Sequence, residues 1–94
     1  MQQHLQLVVS GRVQMVRFRV FVVKIATQMN IIGTVENLPD GTVRIEAWGE
    51  KNQLQAFIQE IYKGSRLSRI DNIAEFWDNI KYMSDVDKKF RIIH

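Results

Sequence analysis

Residues 11–19, Gly11-Arg12-Val13-Gln14-Met15-Val16-Arg17-Phe18-Arg19, decide how this chain is read. Before them lies an apolar run, Leu5, Leu7, Val8 and Val9, which reads as a strand over 5–10. After them Phe18, Phe21, Val22, Ile25, Ala26 and Met29 recur three and four apart, predicting a helix over 18–29. A short glycine-opened loop between strand and helix gathers free backbone N–H groups and the positive end of the helix dipole, a combination that holds an anion. Arg19 falls in the first helical turn, where a cation is disfavoured by a few tenths to about 1 kcal/mol. A bound negative group offsets that penalty.

The pattern continues outward from this loop. Residues 31–38 read as a strand, Pro39-Asp40-Gly41 as a hairpin turn, and 42–48 as an alternating strand with one covered face. Leu54, Phe57, Ile58 and Ile61 mark a second helix that ends at Gly64. Strands over 70–77 and 90–93 follow, joined by a polar loop over 84–89. The order β-α-β-β-α-β predicts an α+β, ferredoxin-like split β-α-β fold. Two helices then cover one face of a four-stranded antiparallel sheet with a place for an extra short strand.

Composition bounds the function. The 94 residues, 46% of them hydrophobic, form a single domain over 1–94. A chain of this size buries somewhat above ~60% of its unfolded surface. Thirteen Lys and Arg against ten Asp and Glu leave a net charge of +3, scattered rather than clustered. That suits a small anionic substrate and gives little footing for nucleic acid, which prefers a clustered basic face. Nor do aromatics fall in an RNP-type motif, so no nucleic-acid partner is expected. Cysteine is absent, which removes disulfides and thiolate chemistry and fits a cytoplasmic protein. Met1-Gln2-Gln3-His4 is polar and no apolar run approaches 18 residues, so neither a secretory signal nor a membrane span is expected.

The nonapeptide resembles the acylphosphatase signature G-x-V-Q-G-V-x-F-R, matching every fixed position but one. A second block of that family, G-x-V-x-N-x-x-x-G-x-V, is matched by residues 33–43, from Gly33 through Asn37 and Gly41 to Val43. Gly49-Glu50, the helix ending at Gly64, Ser68-Arg69-Ile70 and Phe90-Arg91-Ile92-Ile93 also fit, so the resemblance runs along nearly the whole chain. It implies a monomeric enzyme that cleaves the carboxyl-phosphate anhydride of acyl phosphates without metal, cofactor or covalent intermediate. It further implies that the loop Gln14, Met15, Val16, Arg17, Phe18 and Arg19 binds the phosphate of an acyl phosphate, or inorganic phosphate. Arg19 then pairs with the phosphate oxygens and Asn37 orients the attacking water. Arginine suits this role because its planar fork makes two parallel charge-assisted bonds.

Singly, Arg19 reads as a solvated helix residue and Asn37 as the start of a turn. Inside their blocks they read as a phosphate site. His4 and His94 lie far apart with no carboxylate beside them in sequence and read as free surface histidines. Asp71, Asp78, Asp85 and Asp87 lack the spacing of metal ligands, and Trp48 and Trp77 read as flanking the core or the sheet faces.

Four positions depart from the family pattern. Met15 stands at the signature glycine, Arg17 where many bacterial-looking members have glycine, and Val20 and Val23 where an aromatic and a polar residue are common. If φ is positive at position 15, methionine there costs about 1–2 kcal/mol and weakens phosphate binding and activity. Val20 and Val23 are three apart and share a helix face. With Met15 they predict an exposed apolar strip rimmed by Arg17, Arg19 and Lys24. A second reading therefore stands beside the first: a non-enzymatic protein-binding module, natural or engineered, on an acylphosphatase scaffold. Its partner surface is Met15, Arg17, Val20 and Val23, at the loop and first helix.

Overall fold

The computed structural model describes residues 2–79 and 89–94. The elements run β1 (Gln2–Arg12), α1 (Phe18–Gln28), β2 (Ile32–Asn37), β3 (Val43–Glu50), α2 (Lys51–Lys63), β4 (Arg69–Asn79) and β5 (Phe90–Ile93). All five strands join one sheet in the order β4-β1-β3-β2-β5. β1 lies antiparallel between β3 and β4, and β2 is antiparallel to β3, as the ferredoxin-like pattern requires. β5 is the extra short strand, at the sheet edge beside β2. It runs parallel to β2, with Gly33 opposite Phe90. The reason is directional: β4 runs against β1 while β2 runs with it, so a chain that reverses after β4 returns along β2. The polar loop expected over 84–89 lies outside the described residues except at Lys89, as do Asp85 and Asp87.

Both helices sit on one face, α1 against β2 and β5 and α2 across β1, β3 and β4. Period-two burial makes that face: Leu5, Leu7 and Val9 of β1 and Val43, Ile45 and Ala47 of β3 are fully buried. Phe18, Val22, Ile25 and Ala26 of α1 and Leu54, Phe57, Ile58 and Ile61 of α2 pack onto them. Each of these side chains other than Ala26 and Ala47 contributes about 1.5–3 kcal/mol. Packing is what α1 depends on, since it has neither a side-chain N-cap bond nor an acid in its first turn. At its other end the Gln53 amide of α2 donates to the Met29 carbonyl at 2.8 Å. β5 is pinned by an edge-on ring contact, Phe57 to Phe90, at 6.0 Å between centroids.

Two glycines are demanded by close backbone approach. At Gly11, φ is 126° beside an irregularity in the β1–β4 pairing, and a Cβ would stand 2.1 Å from the Arg69 carbonyl oxygen. The pairing shifts there by one residue, and the strand enters the loop after Arg12. At Gly33, φ is 154° and a Cβ would stand 1.8 Å from the Glu46 carbonyl oxygen, so β2 lies directly against the β3 backbone.

On the uncovered face His4 is not the free surface residue expected. Its side chain is 13% exposed, with Nε2 3.1 Å from Glu46 Oε1 and Nδ1 3.8 Å from Asp78 Oδ2. Its ring stacks on Trp48 at 4.7 Å. Strand pairing supplies these neighbours: Trp48 and Asp78 lie directly opposite His4, and Glu46 lies opposite Gln6. Residues 42 or more positions away in sequence give no local signal. Among the described residues no helix is long and apolar enough to cross a membrane.

Candidate active site

The loop between β1 and α1 is held by apolar anchors and shaped by unusual backbone. Val13 is buried, Val16 packs against the core, and Phe18 is buried at the start of α1. Between these anchors Met15 and Arg17 adopt left-handed backbone, φ 62° and 63°. Left-handed residues set among right-handed ones point successive N–H groups into one concavity, which favours anions. Among the described residues, none of the N–H groups from Met15 to Val20 makes a backbone hydrogen bond, and the first bond of α1 runs from Phe21 to the Arg17 carbonyl at 3.2 Å. These donors share the positive end of α1.

Charge at the loop is positive. Arg17 is exposed and Arg19 half-buried, and neither has an ion-pair partner among the described residues. Both line a depression of about 400 Å³ together with Val13, Met15, Phe18, Val20, Ile92 and His94. Among the described residues no three His, Asp or Glu side chains gather as a metal site would require.

Asn37 ends β2, opposite Val43. Its Oδ1 is the one buried side-chain nitrogen or oxygen without a hydrogen-bond partner among the described residues. A buried acceptor left so costs about 1–3 kcal/mol. The loop and the hairpin that carries Asn37 are joined by Gln14, whose Nε2 donates to the Leu38 and Thr42 carbonyls, each at 2.8 Å. The hairpin turn itself is closed by Asp40, whose Oδ1 accepts from the Thr42 hydroxyl at 2.6 Å and the Thr42 N–H at 2.9 Å. The hydroxyl bond and then the backbone bond hold the Asp40 carboxyl below its ordinary pKa.

The six loop residues thus form one continuous segment, tied through Gln14 to the strand end that bears Asn37. The expected apolar strip is shorter than predicted. Met15 is 98% exposed and Val20 55%, but Val23 packs against the core. Val23 lies three residues before Ala26, about 60° around the helix axis, on the rim of the buried stripe, while Val20 points away from it. Gln14 is a fixed position of the signature, but the partners of its side chain are backbone carbonyls 24 and 28 residues downstream, which local sequence does not name.

The acylphosphatase family model matches residues 5–92. The chain belongs to the acylphosphatase family. An acylphosphatase of Clostridium acetobutylicum is 43% identical over 86 residues, covering 92% of this chain and 91% of that one. The crystal structure of acylphosphatase from Bacillus subtilis superposes with a TM-score of 0.88 at 34% identity, over 100% of both chains. Full-length HypF, solved in a phosphate- and nucleotide-bound form, matches 100% of this chain with 12% of its own, at TM-score 0.86 and 37% identity. Within this family, fold and sequence together make the chain an acylphosphatase-like hydrolase.

Proposed function

We propose that this protein hydrolyses the carboxyl-phosphate anhydride of acyl phosphates, with Arg19 and the loop N–H groups binding the phosphoryl group and Asn37 holding the nucleophilic water. The observation that carries the reading is Asn37 Oδ1, a buried acceptor with no partner among the described residues, on the hairpin that Gln14 ties to the loop. An amide oxygen accepts one hydrogen of a water and leaves a lone pair free for phosphorus. The water oxygen forms its bond to phosphorus as the bond from phosphorus to the acyl oxygen breaks. The electron pair leaves on the carboxylate, and the water proton passes to solvent. Because carboxylate is a stable leaving group, no general acid is needed. Charge stabilisation and alignment supply the catalysis, through Arg19, the loop donors and the α1 dipole.

The absence of cysteine fits a cytoplasmic enzyme, and the small positive net charge fits a small anionic substrate. The left-handed backbone at Met15 supports an activity lowered relative to a glycine-bearing loop. The test is benzoyl phosphate hydrolysis followed by absorbance, with and without chelator. Expected is chelator-insensitive hydrolysis inhibited by inorganic phosphate. No hydrolysis at millimolar substrate overturns the reading, and loss of activity with chelator overturns its metal-free form.

The exposure of Met15 and Val20 favours one second reading, a protein contact at this loop that also uses Arg17. Pull-down and size-exclusion runs at low and high salt test it. A monomer that captures nothing and hydrolyses acyl phosphates removes it.

A further inference from the structure

We infer that Gln14 is a positioning residue for hydrolysis, fixing the loop that binds phosphate at a set distance from the Asn37 side chain; this rests on the hydrolase reading. Gln14 immediately precedes the left-handed Met15, and Leu38 immediately follows Asn37. One amide nitrogen spans them. Its two hydrogens go to the Leu38 and Thr42 carbonyls at 2.8 Å each, so its donor capacity is fully used. Those carbonyls are the two that close the hairpin. Leu38 O also accepts from Gly41 N at 3.1 Å, and Thr42 O from Leu38 N at 2.9 Å. Gln14 therefore grips the turn at the pair of bonds that define its shape. Only a side chain of this length with two donors on one atom does this. Glutamate offers acceptors alone, and methionine fills the space without donating.

The consequence is geometric. Loop and hairpin are surface segments separated in sequence by α1 and β2, and in-line attack needs the phosphorus seat and the water holder in register. A displacement of about 1 Å between such groups lowers a rate by as much as ~100-fold. Phosphate affinity depends on the loop N–H groups and Arg19, whereas the Gln14 side-chain amide spends both its hydrogens on the hairpin. The rate depends on the register that Gln14 sets.

A double-mutant cycle separates these roles. Benzoyl phosphate hydrolysis and competitive inhibition by inorganic phosphate are measured for the unsubstituted protein, Gln14→Met, Asn37→Ala and the double variant. Expected for Gln14→Met is a kcat lower by about 10- to 100-fold, with the phosphate inhibition constant moved less than about threefold. In the Asn37→Ala background the same change lowers kcat less than about threefold further, since the residue it positions is gone. Equal losses in kcat and phosphate affinity overturn the proposal, as do fully multiplicative losses or an unchanged kcat. If Gln14→Met does not fold, Gln14→Asn, which keeps the amide and loses the reach, is read by the same criteria. If the unsubstituted protein does not hydrolyse acyl phosphates, the hydrolase reading fails on its own. The grip is then judged from the Asn37 side-chain amide resonance, which must shift in Gln14→Met; an unmoved resonance overturns it.

Discussion

Met15 and Arg17 hold nearly identical left-handed backbone, φ 62° and 63°, on either side of a Val16 packed against the core. For residues with a Cβ this conformation costs roughly 1–2 kcal/mol each. Neither side chain recovers it through its own burial, since both are exposed. The loop is over-determined by Val13, Val16 and Phe18 below, while the Gln14 amide ties its start to the hairpin. Strain of this kind, retained at a loop whose backbone donors from Met15 to Val20 make no backbone hydrogen bond among the described residues, fits a site whose shape matters more than its local energy.

Met15→Gly is expected to raise the hydrolysis rate at subsaturating substrate about tenfold, equivalent to ~1.4 kcal/mol at the transition state, and to tighten phosphate binding. Stability should move little, because relief of strain and gain of chain entropy oppose each other. Met15→Ala separates cause from bulk. It keeps the Cβ and removes the long side chain, so an alanine variant that also gains tenfold points to the side chain rather than to φ.

Arg19→Ala and Asn37→Ala should fail in different ways. Losing Arg19 is expected to weaken phosphate inhibition and lower the hydrolysis rate by about 100-fold or more. Losing Asn37 should lower kcat by a similar factor while phosphate inhibition persists. Steady-state kinetics with phosphate as inhibitor reads both. Unaltered activity in Arg19→Ala contradicts its assignment.

Gly33→Ala is expected to destabilise the fold by about 3 kcal/mol, a fall of more than ~10 °C in Tm, because a Cβ there meets the Glu46 carbonyl oxygen at 1.8 Å. Gly41→Ala is the control. Its φ is 93°, but nothing lies within 4 Å of the added carbon, so only backbone strain of about 1 kcal/mol is expected. Thermal melts of the two variants compare them directly.

Acid should probe the hairpin through Asp40. Its pKa in the folded chain lies below the ordinary 3.8, chiefly because the Thr42 hydroxyl and then the Thr42 N–H bind its carboxylate. A folded value below the unfolded one means that the contribution is present above the unfolded pKa and is lost as pH falls through the folded value. Thr42→Val should move the Asp40 titration, followed by carboxyl NMR, back up towards the ordinary value. A midpoint that stays where it was would mean that the Thr42 hydroxyl is not what lowers it.

Much of the molecule was legible in its residues. Alternation in β3 and the three-and-four spacing in α1 and α2 report burial against a single face, so element order follows directly. The position of the loop between β1 and α1 was legible through its glycine opening, and the family through two spaced blocks. What escaped was long-range. The setting of His4 comes from Glu46 and Asp78 on flanking strands, and Gln14 acts on carbonyls that every residue type possesses. The packing of Val23 escaped because a rim position is settled by how closely neighbouring elements crowd the helix, which periodicity does not report. The parallel pairing of β5 depended on chain direction after β4.

The placement of β1 bears on how the chain is made. Its partners are residues 43–50 on one side and 69–79 on the other, so a strand interior to the sheet is synthesised before either neighbour. Leu5, Leu7 and Val9 therefore stay unpaired until residues 43–50 and 69–79 have been made. Pairings across some seventy residues are slow to form. During that interval this first strand is the segment most open to chaperone capture or to pairing with another nascent copy.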